Sequence, residues 1–310
     1  MAIKKVTVAG GGVLGSQIAF QSAYCGFDVV VWLRSEESIG RAKPKIERLL
    51  GIYTQTLEAM KTNPMAYCRG LASKDATPEE LDELKECAAQ AAQNIKYTTD
   101  FAEAADCDLL IEAVAEDPAQ KIEFYKTLAP YLSGDTIVVT NSSTLLPSAF
   151  AEHTGRPEKF LALHFANEIW KNNTGEVMGH AGTDQDAYDQ IVQFAADIAM
   201  VPLPVKKEQP GYILNSILVP FLNSALAIYA DDVADFETID KTWMLGTGAP
   251  LGPFRIIDII GLETAYNVAY MHPAAKDPNS IQAKVIKKLG AYIEAGKTGV
   301  NAGEGFYSYK

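Results

Sequence analysis

The sequence predicts an α/β protein in which a doubly wound, mostly parallel sheet is followed by an all-α C-terminal domain. Three observations carry that expectation. A glycine cluster, Gly10-Gly11-Gly12-Val13-Leu14-Gly15, separates the apolar run Ile3 to Ala9 from a helix-like stretch, Ser16 to Cys25. Short β-like runs then alternate with helical patterns as far as Val205. Beyond the polar, turn-rich link Lys206-Lys207-Glu208-Gln209-Pro210-Gly211, nearly every segment has helical period. Strands that alternate with helices imply parallel pairing with both sheet faces covered. The expected domains are residues 1–206 and 207–310.

The first elements are the most informative. After the glycines and the helix, Val29-Val30-Val31-Trp32-Leu33 completes a β-turn-α-β unit. Gly10 permits the tight turn, Gly12 lets a pyrophosphate approach the backbone, and Gly15 lets helix and strand pack closely. Val13 and Leu14 complete the cluster at the helix N-terminus, where free N–H groups and a positive dipole favour an anion. A Rossmann-type dinucleotide site is expected there.

Glu36 to Met60 reads as one long helical pattern interrupted at Pro44. Thr77-Pro78-Glu79-Glu80 starts another helix, with Thr77 as N-cap, Pro78 in the first position and Glu80 closing a capping box. Together they form a helical insertion in the βαβ pattern. Strands are then expected at Ile95 to Thr98, Leu109 to Val114, Thr136 to Thr140 and Phe160 to His164. Val177-Met178 and Pro202 to Val205 read as further strands flanking a helix from Asp184 to Ala199. Past the link, helices are expected at Ile213 to Ala230, Phe236 to Leu245, Arg255 to Tyr270 and Ile281 to Glu294. Ile213 to Ala230 is apolar almost all round, as in a helix buried on more than one side. Burial between subunits would satisfy it, so a homodimer is expected.

With 310 residues, 48% of them hydrophobic, the chain can bury a sizeable core and make two domains. The net charge of −12 disfavours a nucleic-acid or anionic-membrane partner and makes local basic clusters more telling. Cys25, Cys68, Cys87 and Cys107 show no metal-ligand or disulfide-framework spacing and read as reduced thiols. No apolar run approaches a membrane span, and the N-terminus enters a strand without a leader pattern, so a cytoplasmic location is expected.

The second strand bears on the coenzyme. A fold of this type that prefers NAD places Asp or Glu about 20 residues past the glycines, on the ribose 2′-hydroxyl. Here the strand runs out into Leu33-Arg34-Ser35. A guanidinium and a hydroxyl suit a 2′-phosphate, which a carboxylate would repel. NADP(H) is therefore the favoured cofactor, read by Arg34 and Ser35. The alternative is NAD(H), with Arg34 stacked on the adenine and Glu36 or Glu37 on the ribose.

Several local patterns fall in one order along nearly the whole chain: Gly10 to Gly15, Ile111-Glu112-Ala113-Val114-Ala115-Glu116, Asn141-Ser142-Ser143-Thr144, His164-Phe165-Ala166-Asn167, Pro210-Gly211-Tyr212-Ile213-Leu214-Asn215, Pro250-Leu251-Gly252-Pro253-Phe254 and Gly303-Glu304-Gly305-Phe306-Tyr307. In this order they resemble the short-chain 3-hydroxyacyl-CoA dehydrogenase family, which includes 3-hydroxybutyryl-CoA dehydrogenases. The resemblance implies hydride transfer between the nicotinamide and the 3-position of a short-chain 3-hydroxyacyl-CoA or 3-ketoacyl-CoA. It matches His164 to the acid/base, a role that suits an imidazole because it titrates near neutrality. Glu176, twelve positions on, matches the carboxylate that orients the ring. Ser143 and Asn215 match the two polar positions that hold the substrate oxygen. Asn141, Glu116 and Lys121 match positions around the coenzyme; Lys121 is read either as an ammonium offered to the coenzyme phosphates or as part of a solvated helix face. His153, His180 and His272 read as packing residues.

The chain departs from the family pattern at three places. Glu168 follows Asn167 where proline is usual, with Trp170 and Lys171 beside it; Gly179-His180-Ala181 is unusual; and Val300-Asn301-Ala302 is inserted before the terminal motif. The bases Arg41, Lys43, Lys45, Arg48, Lys61 and Arg69 lie in the insert where the family places coenzyme A, or form a solvated face. Two rival readings follow: a dehydrogenase of a free hydroxy acid or sugar acid, as in the gulonate dehydrogenase and lens-crystallin branch, with Lys171 as carboxylate ligand, and a non-catalytic dinucleotide-binding protein.

Overall fold

The structure, a computed structural model, describes residues 3–309. It divides into two compact units between Ile213 and Leu214, so residues 207–213 belong with the first unit.

The first unit opens β1 (Lys5–Ala9), α1 (Val13–Tyr24) and β2 (Asp28–Trp32), then makes the helical insertion α2 (Glu36–Met60) and α3 (Pro78–Asn94). Next come β3 (Lys96–Thr98), α4 (Phe101–Ala105), β4 (Leu109–Glu112), α5 (Pro118–Leu128), β5 (Ile137–Thr140), β6 (Phe160–Phe165), β7 (Thr174–Met178), α6 (Gln185–Asp197) and β8 (Val201–Val205). The strands form one sheet in the order β3-β2-β1-β4-β5-β6-β7-β8, with order reversing beside β1. All neighbours are parallel except β6 and β7. That doubly wound arrangement places ligands outside the strands' carboxyl ends. Pro202 and Pro204 sit in the edge strand β8, where they remove N–H groups that a further strand would need.

The capping box at Thr77 and Glu80 forms as expected. Pro44 does not interrupt its helix: α2 runs unbroken for 25 residues through it. A proline forfeits one helical hydrogen bond, but apolar burial on both sides, Ile39 and Ala42 before it and Ile46, Leu49, Tyr53 and Leu57 after it, holds the helix on its course.

The second unit is all-helical: α7 (Leu214–Ala230), α8 (Phe236–Thr247), α9 (Pro253–Ile260), α10 (Leu262–Met271) and α11 (Ile281–Glu294). The single helix expected over Arg255 to Tyr270 is two, because Gly261 adopts φ +97° and ends α9. Leu262 then donates its N–H to the Thr298 carbonyl at 3.1 Å instead of continuing the helix. The core gathers Leu222, Leu226, Phe254, Ile257, Leu289 and Phe306. α7 buries Leu222, Ala225, Leu226 and Ala230 but leaves Ile217 and Ile228 exposed within the single chain.

Two buried aspartates organise this unit. Asp240 accepts hydrogen bonds from the Phe254 and Arg255 N–H groups and the Tyr307 hydroxyl. Asp258 accepts from the Phe306 and Tyr307 N–H groups and the Tyr309 hydroxyl. They explain the nearby glycines: a Cβ on Gly252 would stand 2.2 Å from Asp240 Cγ, and one on Gly305 would stand 2.1 Å from Asp258 Oδ1.

Candidate active site

The glycine loop joins β1 to α1 and opens on a cavity of about 810 Å³ lined among others by Gly10, Gly11, Gly12, Arg34, Arg41 and Lys45. Gly10 has φ +128°, and a Cβ there would lie 2.3 Å from the Ala113 carbonyl oxygen. A Cβ on Gly15 would lie 2.2 Å from the Gly10 carbonyl oxygen, so helix and turn pack as closely as glycine allows. Gly12 is the N-cap of α1 without a side-chain cap, and a Cβ there would meet nothing within 4 Å. The N–H groups of the first turn, including Val13 and Leu14, are therefore open to an anion from outside. Glycines, helix terminus and cavity together fit a nicotinamide dinucleotide.

Just past β2, Arg34 lines the cavity. Ser35, expected to face the ligand, is committed elsewhere. Its hydroxyl accepts the Ser38 N–H as the N-cap of α2 and meets the Ser38 hydroxyl at 3.0 Å. Ser38, Arg41 and Lys45, one helix face at i, i+3 and i+7, line the cavity instead. That spacing is visible in the sequence, although Arg41 and Lys45 fall in the segment expected to meet coenzyme A. Lys43 faces Tyr97, 5.6 Å from the ring centre, and Arg69 donates to Asn173 Oδ1.

A second cluster lies at the carboxyl end of β6. Because β6 and β7 are antiparallel, His164 stands in register with Glu176. His164 Nδ1 lies 3.0 Å from Glu176 Oε2, and Nε2 lies 3.1 Å from Ser143 Oγ. An ionised carboxylate can only accept, so Nδ1 carries a proton toward it, and Nε2 is the ring nitrogen that faces Ser143 Oγ. Glu176 Oε1 accepts the Ile213 N–H at 2.8 Å, so both carboxylate oxygens are held. His164 and Glu176 are buried.

Tyr212, to which sequence reasoning assigns no role, stacks on the imidazole with ring centres 4.4 Å apart and planes 12° apart. Its hydroxyl donates to the Ser142 carbonyl at 2.8 Å, and its φ of +53° turns the chain after Gly211. Burial, reinforced by the charge of Glu176, pushes the phenol well above its ordinary range and keeps it a donor. A tyrosine next to a glycine in a turn carries no sequence signal for stacking on a distant imidazole.

Glu116 accepts from the Ser142 hydroxyl and from the Thr144 N–H and hydroxyl. Burial raises the Glu116 carboxyl, but these donors and the Lys121 charge outweigh it and hold it below its usual range. Lys121 corrects both sequence readings. It is buried, donating to Glu112 Oε1 at 2.6 Å and pairing with Glu116 at 3.3 Å, so its ammonium points into the protein. The reason is Glu112 at the end of β4, itself fully buried, which also takes the Tyr125 and Thr140 hydroxyls and the Val114 N–H. A buried carboxylate requires compensating donors or a cation, and here Lys121 supplies a cation beside the hydroxyl and N–H donors. Asn141 ties the ends of β5 and β6 together by accepting the Phe165 N–H. Asn215 lies in the first turn of α7, in the second unit.

Glu168 sits in a left-handed turn at φ +57°, its N–H and that of Ile169 held by Gln17 Oε1. Its carboxylate lies 3.8 Å from Lys171. His180 Nε2 lies 2.9 Å from the Pro157 carbonyl oxygen, as in a packing residue, whereas His272 is exposed and caps the turn after it by accepting the Ala274 N–H.

The chain is similar to known proteins along nearly its whole length. The family model described as 3-hydroxyacyl-CoA dehydrogenase, NAD binding domain, matches residues 5–209, and that for the C-terminal domain matches residues 211–309. The chain belongs to the 3-hydroxyacyl-CoA dehydrogenase family. Its first unit thus carries a nicotinamide-dinucleotide-binding domain, and the family's chemistry is oxidoreduction at a 3-hydroxyl. Among relatives, the mitochondrial hydroxyacyl-coenzyme A dehydrogenase of Homo sapiens is 31% identical, over 99% of this chain and 92% of that protein. A 3-hydroxybutyryl-CoA dehydrogenase of Clostridioides difficile is 30% identical, over 98% of this chain and 99% of that protein. A solved diketoreductase, described as performing substrate-directed dual catalysis of dicarbonyl compounds, is 44% identical with a TM-score of 0.86, covering 100% of both chains. No helix of the described residues is long and apolar enough to cross a membrane.

Proposed function

We propose that this family member interconverts a short-chain 3-ketoacyl-CoA and its 3-hydroxyacyl-CoA with NADP(H) as the preferred coenzyme, as a cytoplasmic homodimer. The observation that carries the reading is the line Ser143, His164 and Glu176. Bound coenzyme supplies or receives the hydride. His164 returns a proton to the carbonyl oxygen as it becomes a hydroxyl, or removes it in the reverse direction. Glu176 fixes the ring tautomer and balances the imidazolium in a buried setting where an unpaired charge is costly. Ser143 donates to the same oxygen as negative charge grows on it; the family resemblance alone gives Asn215 a part in holding that oxygen. The exposed apolar positions of α7, Ile217 and Ile228, support a dimer contact.

A second reading is favoured by one specific observation. The 44%-identical diketoreductase is described as acting on dicarbonyl compounds, and a 3-ketoacyl thioester is itself a 1,3-dicarbonyl. The reacting unit is then shared and only the far end of the substrate differs; Glu168 and Lys171 are the residues that would read a free substrate.

The deciding experiment is the initial rate of nicotinamide oxidation with acetoacetyl-CoA, using NADPH and NADH in parallel, for wild type and His164→Ala. A fast rate lost about 10²-fold or more in the variant supports the acyl-CoA reading. Turnover of a free 1,3-diketo ester without turnover of acetoacetyl-CoA moves the assignment to the second reading.

A further inference from the structure

We infer that Ser38, Arg41 and Lys45 on α2, with Arg34 in the turn between β2 and α2, form the binding site for the coenzyme 2′-phosphate. The inference rests on the proposed NADP(H) preference and names the residues that produce it.

The three α2 positions share one helix face and line the cavity that also holds Gly10 to Gly12. The lining contains three cations and one carboxylate, Glu123, in a chain whose net charge is −12. Such a local excess of positive charge against an acidic whole attracts a compact anion. The residue following β2, where a ribose-reading carboxylate is usual, is Leu33, which is buried and apolar.

The donors are already arranged. Arg41 donates to the Ser38 hydroxyl at 2.8 Å, which pairs a guanidinium fork with a hydroxyl as phosphate oxygens require. Its other partner is the exposed Glu37, one turn earlier, which can release it to solvent. Lys45 donates to the Gly11 carbonyl at 2.6 Å, so the ammonium is fixed over the glycine loop with two further donors uncommitted by that bond. A 2′-phosphate carries a charge of about −1.5 to −2 near neutrality, which the cations balance. Ser35 is excluded because its oxygen caps α2, and Ser38 takes the role expected of Ser35.

The test is equilibrium titration of wild type, Ser38→Ala, Arg41→Ala and Lys45→Ala with NADPH and with NADH, read by nucleotide fluorescence and repeated with adenosine 2′,5′-bisphosphate as competitor. Arg41→Ala and Lys45→Ala should each weaken NADPH about tenfold or more, the loss of a charge-assisted hydrogen bond. Ser38→Ala should weaken it less, and NADH binding should stay within about twofold throughout. Adenosine 2′,5′-bisphosphate should displace NADPH from wild type and fail to do so from Arg41→Ala. Equal weakening of both coenzymes, or tighter binding of NADH than NADPH by wild type, overturns the 2′-phosphate site while leaving the dinucleotide site standing. Failure of wild type to bind either coenzyme overturns the coenzyme reading itself.

Discussion

Both units bury carboxylates beneath hydrogen bonds, but they surround them differently. In the second unit Asp240 and Asp258 are met by backbone N–H groups and tyrosine hydroxyls, donors that keep their protons. In the first unit Glu176 is met by an imidazole as well as a backbone N–H, and Glu112 by an ammonium as well as hydroxyls. Fixed donors make a carboxylate a structural node, here the anchor for the C-terminal residues Phe306 to Tyr309. An ionisable partner instead sets a group that can carry positive charge against the carboxylate, Lys121 against Glu112 and His164 against Glu176. Under the proposed reading, the same physical cost of burial serves shape in the second unit and, at Glu176, proton exchange in the first.

The sharpest way to break this comparison is Glu176→Gln. The amide keeps the volume but loses the charge that balances the imidazolium, and it offers His164 an acceptor or a donor instead of an acceptor alone. The expected result is a fall in kcat of about 10³-fold with coenzyme affinity and Tm nearly unchanged. A variant that keeps its rate would show that Glu176, like the aspartates, is structural.

Asp258→Ala should do the converse. It strands the Phe306 and Tyr307 N–H groups and the Tyr309 hydroxyl, at a cost of about 3–5 kcal/mol. Thermal unfolding should show a lowered Tm, and the protein that remains folded at low temperature should turn over at close to the wild-type rate per molecule. A large rate loss at unchanged Tm would erase the distinction between the two sets of carboxylates.

How much of this is legible in the sequence depends on the range of the interactions. The glycine loop, the Thr77 capping box and the strand ending near His164 are local: steric and hydrogen-bonding demands of adjacent residues write them directly into the chain. The pairing of His164 with Glu176 is reached in the sequence only through family resemblance, since it takes the antiparallel turn of β7 against a parallel sheet to bring the two into register. Lys121 misleads because a lysine on a helix looks solvated until its fully buried partner, Glu112, is known to lie behind it. Ser35 misleads because a hydroxyl can cap a helix or bind a ligand, and the start of α2 one residue later decides the matter. Gly261 is visible, yet the apolar period continues across it, and only its positive φ shows the break.

Thiols supply the limiting case of the comparison, ionisable groups given no cationic partner at all. Burial pushes Cys25 and Cys107 up to about 12, against modest opposition from the Gln21 amide at Cys25 and from Thr7 at Cys107. Because the raised value means that the neutral thiol is the favoured form, the thiolate fraction at pH 8 is about one part in 10⁴. Both should stay unmodified by a thiol-alkylating reagent at pH 8 in the native protein and react once it is unfolded, as peptide mass mapping would show. Raising the pH toward 10 should increase labelling about tenfold per unit, provided the fold persists, because each unit raises the thiolate population by that factor. Rapid native-state labelling of either residue at pH 8 would mean that its surroundings do stabilise a charge, and that burial without a partner does not by itself keep a group neutral in this fold.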